Sequence, residues 1–267
     1  LRAINSNKFI YEPTVSQAFD PSELEKYQKF QRENKFVIHD MLKALVRTLG
    51  NMNLTTSDNQ VQFANAIKMK KFGENTEILK SLASSLGNMH ITDPEAQRLI
   101  LYSIHYNTLN ANSFGRNTAV LKLLLSSLIK MNITDQYAQQ HFAKLAVDKV
   151  FGMSNEVYKN IILGILNMNA AHPDVQAKLI QGLMHNLSNL DDDLDILQTV
   201  ATKLGTMNIT DANAQLIIAD QIYVGIFGSN PEILKSLITS LSNMNITDRK
   251  VQQSIAECID KGKFGDN

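Results

Sequence analysis

The chain has 267 residues, 26 of them basic and 26 acidic, so no broad electrostatic field draws it to nucleic acid or to an anionic membrane. Its 44% hydrophobic content can fill a sizeable core, yet no run approaches the roughly 18 apolar residues of a membrane span. The single cysteine, Cys258, excludes an intramolecular disulfide and an all-cysteine metal cluster, and points to a reducing compartment.

In chain order, residues 1–35 read as an irregular segment followed by a capping helix. The opening LRAINSNKFIYEPT has neither an initiator Met nor the basic-then-apolar pattern of a signal peptide, so the sequence reads as part of a longer, cytoplasmic chain. Asp20-Pro21-Ser22-Glu23 starts a charged helix through about Asn34, suited to covering the end of a repeat array.

Residues 36–267 read as that array, with units at about 36–72, 73–114, 115–151, 152–190, 191–227 and 228–264. Their markers are Met52, Met89, Met131, Met168, Met207 and Met244, separated by 37, 42, 37, 39 and 37 residues, a period that suits two helices per unit. Seventeen residues before the last five markers stand Phe72, Phe114, Phe151, Leu190 and Phe227, and each Phe is followed by Gly. Four residues after the same markers stand Asp93, Asp135, His172, Asp211 and Asp248; with two extra residues in the first unit, Asp58 fills that slot. Four further on comes a glutamine ladder: Gln62, Gln97, Gln139, Gln176, Gln215 and Gln252.

Ile78, Leu82 and Leu86, with Leu79 beside them, give the first helix of a unit one apolar stripe. Asn75, Asn117, Asn155 and Asn230 are its expected N-caps, and Pro231 stands at a first helical position. The Gly after each Phe supplies the backbone freedom for leaving the preceding helix. The second helix begins at the Asp, with Ala214, Ile218 and Ile222, and likewise Val251, Ile255 and Ile259, as its inward stripe. Lys263-Phe264-Gly265-Asp266-Asn267 opens a further unit. No stretch alternates as a half-buried strand does, so the expected fold is all-α.

The passages ITDPEAQRLI (91–100) and ITDRKVQQSI (246–255) resemble the HEAT repeat, in which an Asp leads into the second helix. This chain has Ala-Gln or Val-Gln where that family commonly has Val-Arg, and its first helices lack the family's proline. The resemblance, which extends to armadillo-type repeats, implies a right-handed α-solenoid of about six units with an N-terminal capping helix. It also implies a non-catalytic scaffold that binds a protein or peptide partner on a concave surface lined by the second helices.

The ladder glutamines could bind an extended peptide or satisfy loop backbone. Four residues after the last five stand Leu101, Ala143, Ile180, Ala219 and Ala256, all apolar, which points the amides into a buried seam and favours the structural role. The candidate partner-binding face comprises the variable polar or aromatic positions of the second helices. These are Arg98, Tyr102 and Tyr106, then Gln140, Lys144 and Asp148, then Gln181 and His185, then Asp220 and Tyr223, and last Glu257. A first-helix row of Lys43, Lys80, Lys122, Lys159 and Lys235, with Gln198 in the remaining slot, reads as a solvated face whose stems cover apolar surface.

No HExxH, EF-hand spacing or glycine-rich phosphate loop is present, so no catalytic residue, metal or cofactor is assigned. Asp191 to Asp193 with Asp195 stand where a helix begins, complementing its dipole. The alternative functions are an enzyme built on a HEAT-like array and a module that self-associates through its C-terminal repeat. NMNITD (243–248) contains a glycosylation acceptor, Asn245-Ile246-Thr247, but Asn and Thr there read as turn chemistry.

Overall fold

A computed structural model describes residues 40–51, 54–109, 114, 117–168, 170, 172–190 and 193–265, with the backbone alone for 105–109. The irregular segment and capping helix expected over 1–35 lie outside the described residues. Among these, every regular element is a helix: α1 (40–51), α2 (Ser57–Lys68), α3 (Thr76–Leu86), α4 (Pro94–Leu109), α5 (Thr118–Lys130) and α6 (Gln136–Val147). They continue as α7 (Asn155–Leu166), α8 (Pro173–Leu187), α9 (Leu194–Leu204), α10 (Ala212–Val224), α11 (Pro231–Asn243) and α12 (Arg249–Asp260).

Most of the described helices begin where a short polar side chain replaces the missing intrahelical partners of the first N–H groups. Asn75 Oδ1 accepts from the backbone of Glu77 and Ile78, and Asn117 and Asn230 do the same for α5 and α11. The expected cap Asn155 is instead the first residue of α7. Ser154, in extended backbone, is the cap and accepts from Val157 N at 3.4 Å. Asp193 caps α9 through Ile196 N. Among the second helices, Asp93, Asp135, Asp211 and Asp248 are N-caps as expected, whereas His172 precedes Pro173 without a side-chain bond.

The first unit corrects the expected register. Thr56, not Asp58, caps α2 and accepts from Asn59 N at 3.3 Å. Thr56 stands four residues after Met52, the spacing of every other unit, so the first unit has no insertion.

Helix exits use left-handed backbone. Gly73, Gly152, Gly228 and Gly265, each following a Phe, have φ between 67° and 107°. There the absence of Cβ removes the steric cost. The Phe then folds back on the second helix: the rings of Phe63 and Phe72 meet edge to face at 5.8 Å, and those of Phe142 and Phe151 lie 6.2 Å apart.

The chain divides into two compact bodies, one ending at Met131 and the other starting at Asn132. In the first, α2 packs on α4 and α3 on α5. In the second, α6, α8, α10 and α12 pack in sequence, α9 packs on α11, and α7 contacts both α8 and α9. Helices of like kind therefore lie side by side, and their inner faces carry the apolar stripes, with Leu82, Leu124, Ile161, Val200 and Leu237 all buried. The expected stripe of α12 holds only in part: Val251 is buried, Ile255 half-buried and Ile259 exposed, because no helix covers the far side of the last unit among the described residues.

Neighbouring first helices touch through small residues. A Cβ on Gly50 would stand 2.5 Å from Ser85 Cβ, and one on Gly205 would stand 2.8 Å from Ser240 Cα. Ser240 Oγ uses this closeness to donate to Ala201 O at 2.5 Å, satisfying a carbonyl near the end of α9. Gly205 has ordinary helical φ, so Ala there is opposed by the neighbouring helix alone. Gly205→Ala is expected to lower the unfolding free energy by about 1–3 kcal/mol in a urea titration, despite the better helix propensity of Ala. An unchanged midpoint would contradict this packing.

Candidate functional site

The residues that build the turns must be separated from those left for other work. In NMNITD and its relatives, the residue after the marker Met has left-handed backbone at His90, Asn132 and Asn208, with φ of 49–52°. Asn tolerates that region better than most residues. The following residue points inward: Leu54, Ile91, Ile133, Ala170 and Ile209 are buried. Its carbonyl is thereby removed from water and needs a partner.

The ladder glutamine supplies that partner. The side-chain amides of Gln97, Gln139, Gln176 and Gln215 donate to the carbonyls of Ile91, Ile133, Ala170 and Ile209 at 2.8–3.0 Å. Gln176 also binds the next turn: its N–H donates to Asn208 O at 3.1 Å, and its oxygen accepts from Thr210 N and Asp211 N at 2.9 Å. One amide thus ties four backbone groups of two successive turns. The side-chain amides of these buried glutamines are thus engaged by the backbone of the turns.

In the first unit this role belongs to Gln60, not Gln62. Gln60 donates to Leu54 O and accepts from Thr92 N and Asp93 N at 2.9 and 2.7 Å, while Gln62 is half-exposed and donates to Asp58 Oδ2. Gln60 stands eight residues after Met52, the spacing shared by all six ladder positions. Gln252 keeps only its bond to Ile246 O and is exposed.

The first-helix row also serves the repeat. Lys43 reaches Glu77 of the next unit at 3.7 Å, Lys159 binds Asp193 of the next unit, and Gln198 donates to Ser236 at 2.6 Å. This is more than a solvated face, because these side chains join neighbouring units. Lys43, Arg47, Lys80, Glu77 and Ser81, Ser84 and Ser85 line a shallow cleft of about 260 Å³ in the first body. Glu77 stands between its lysines, so the cleft carries its own counter-charge. No second-helix candidate lines it.

Carboxylates in these joints are held below their ordinary pKa. For Asp193 the cause is the Lys159 ammonium, then the Ile196 N–H. For Asp93, burial opposes the charge, but the Ser57 hydroxyl and the Ala96 and Glu95 N–H groups outweigh it. Depressed carboxylate pKa values add stability that is complete above the unfolded value and is lost as pH falls through the folded value. Cys258 is buried, donates to Ala219 O at 3.5 Å, and has its thiol pKa raised by burial and by Asp220 and Glu257, as an inert structural thiol would.

Of the candidate partner-binding residues, the register thirteen after the marker Met holds Tyr102, Lys144, Gln181, Asp220 and Glu257. In the second body Lys144, Gln181, Asp220 and Glu257 are all exposed on packed neighbours α6, α8, α10 and α12. Tyr102, half-buried in the first body, lies under Lys68 Nζ at 5.7 Å, and Arg98 is exposed. Tyr223 is exposed with Lys263 Nζ 5.8 Å from its ring centre. Gln140 accepts from Lys178 at 2.9 Å, joining α6 to α8. Asp148 is the C-cap of α6 and so leaves the helix face. His185 is half-buried and its Nε2 has no hydrogen-bond partner among the described residues. The Tyr106 side chain lies outside the described residues.

Among the described residues no three His, Cys, Asp or Glu side chains form a group able to hold a metal ion, and no helix is long and apolar enough to cross a membrane. No protein-family model matches the chain, and no curated protein and no solved structure matches it significantly.

The ladder assignment has a direct consequence. Gln60→Ala leaves a buried carbonyl and two N–H groups short of partners and is expected to cost at least about 2 kcal/mol in denaturant unfolding. Gln62→Ala, at an exposed intrahelical contact, should stay within about 0.5 kcal/mol. Equal losses would contradict the corrected register.

Proposed function

We propose that the chain is a non-catalytic scaffold that binds a protein or peptide along the outward row of its second helices, as a segment of a larger cytoplasmic protein. In this reading the units form a right-handed, HEAT-like or armadillo-like α-solenoid, and the row lines its concave side. The observation that carries it is the contrast between neighbouring registers. Twelve residues after the marker Met, Leu101, Ala143, Ile180 and Ala219 are apolar and buried; one residue further on in the second body, Lys144, Gln181, Asp220 and Glu257 run from cationic through amide to anionic. Packing holds the first register to small or apolar side chains, whereas the second is exposed at Lys144, Gln181, Asp220 and Glu257. A row of cationic, amide and anionic groups on the packed second helices of the second body suits an extended partner of matching pattern. The fold-level analogy with HEAT and armadillo scaffolds supports the same class.

The test is affinity capture with the full chain, comparing wild type with Lys144→Ala, Gln181→Ala, Asp220→Ala and Glu257→Ala combined. The combined variant is expected to melt like wild type and to bind its captured partner at least about tenfold more weakly, or about 1.4 kcal/mol. Retention of every partner at unchanged affinity would overturn the proposal.

A further inference from the structure

One junction between first helices departs from the pattern of the others. Five residues before the marker Met, the later units carry Ser84, Ser126, Leu163, Thr202 and Thr239, whereas the first carries Arg47. Ser126, Thr202 and Thr239 turn their hydroxyls back on the carbonyl four residues earlier in their own helix. Arg47 is exposed, and its guanidinium makes no ion pair or hydrogen bond among the described residues. It lines the cleft of about 260 Å³ between α1 and α3, two helices that meet at Gly50 against Ser85 and through the Lys43 pair with Glu77.

Ser85 marks the same place from the other helix. Four residues before the marker, Ser127 donates its hydroxyl to Ser84 O at 3.4 Å and Ser240 to Ala201 O at 2.5 Å, each satisfying a carbonyl of the preceding first helix. Ser85 stands in the same register, is only 8% exposed and lines the cleft, yet its hydroxyl has no hydrogen-bond partner among the described residues. A buried hydroxyl left unpaired costs stability, which a ligand oxygen placed against it would restore. The charge of the cleft is also unbalanced. Lys43, Arg47 and Lys80 face one carboxylate, Glu77, which the Lys80 ammonium and then Lys43 hold below its ordinary pKa, so it is ionised at neutral pH. Three cations against one anion leave two positive charges, and Ser81 and Ser84 add hydroxyl donors beside them.

We propose that this cleft binds the dianionic phosphoryl group of a phosphate monoester, held by Arg47, Lys43 and Lys80 with Ser85 donating its hydroxyl. A phosphate monoester carries about −1.5 to −2 charges at neutral pH and three acceptor oxygens, matching the unbalanced charge and the donors of the site. A carboxylate would neutralise only one of the two positive charges. The planar guanidinium can take two oxygens at once, and the ammoniums act as point charges on the third. A volume below the about 300–1,000 Å³ of ordinary small-molecule sites suits a single phosphoryl group rather than a whole cofactor. Glu77 competes for both ammoniums, so binding is weak and reversible. The site is built from first helices alone and does not depend on what the second-helix row binds.

Amide chemical-shift titration of the full chain at fixed ionic strength tests the proposal, with inorganic phosphate and a blocked phosphoserine as separate probes. Both are expected to give saturable shifts in α1 and α3, and the tighter of the two shows whether the phosphoryl group is free or borne by a side chain. Arg47→Ala, at an exposed position, should melt like wild type and weaken binding at least about tenfold. Ser85→Ala should weaken it about threefold without lowering the melt. Glu77→Gln should tighten binding, whereas Lys235→Ala, in the Lys43 register on α11, should leave it unchanged. Shifts that do not saturate or that chloride reproduces, binding unaffected by Arg47→Ala, or weaker binding in Glu77→Gln would each overturn the proposal.

Discussion

The buried side-chain amide of the ladder glutamine is the interaction on which the repeat depends. The turn between the two helices of a unit places an apolar residue inward, and this removes its carbonyl from water. A buried carbonyl left unpaired costs about 1–3 kcal/mol, enough to open a short turn. The glutamine six residues later closes that account with its N–H, as Gln97 does for Ile91 and Gln215 for Ile209. Gln60 and Gln176 then use their oxygen on two N–H groups of the following turn. The amide carries donor and acceptor on one flat group, which an ionised Glu, a Lys or a Leu side chain does not, so none of these can substitute for it.

Other features follow from that constraint. The turn must keep a fixed length between the marker Met and the glutamine, and eight residues separate them in all six units. A left-handed residue after the Met turns the chain sharply, and the Asp that caps the second helix stands two residues beyond the buried apolar one. With the turn, the caps and the stripe committed to architecture, the outward register of the second helix is exposed at Lys144, Gln181, Asp220 and Glu257. Tyr102, Lys144, Gln181, Asp220 and Glu257 differ there, while Gln97, Gln139, Gln176, Gln215 and Gln252 do not. The glycosylation acceptor within NMNITD is explained by the same turn: its Asn takes left-handed backbone at Asn132 and Asn208, and its Thr and Asp offer their N–H groups to the preceding glutamine at Thr210 and Asp211.

Much of this was legible in the sequence because period and capping are local. The two-helix unit, the Phe-Gly exits, the Asp caps and the inward-facing glutamines all came from spacing and residue chemistry. The first unit was misread because Asp58 and Gln62 have the expected chemistry, while Thr56 and Gln60 have the expected distance from Met52, and distance is what the turn enforces. Asn155 lost its cap to Ser154 for the same reason, since fourteen residues separate Ser154 from Met168 just as they separate Asn75 from Met89. Contacts between units were hidden: Lys159 with Asp193, Gln198 with Ser236 and Gly205 against Ser240 depend on how helices lie side by side. The exposure of Ile259 was equally hidden, because its helical pattern is that of its buried counterparts and only the neighbouring helix decides which face is inside.

Native-state hydrogen exchange in Gln176→Leu compared with wild type tests the clamp most directly. Thr210 is exposed and Asp211 half-exposed, yet their N–H groups are bonded to Gln176. The clamp predicts that both amides exchange slowly in wild type and lose their protection selectively in the variant, while the helical amides of α10 keep theirs. Fast exchange at Thr210 and Asp211 in wild type, or protection unchanged by the substitution, would contradict the claim that this side chain holds one turn to the next.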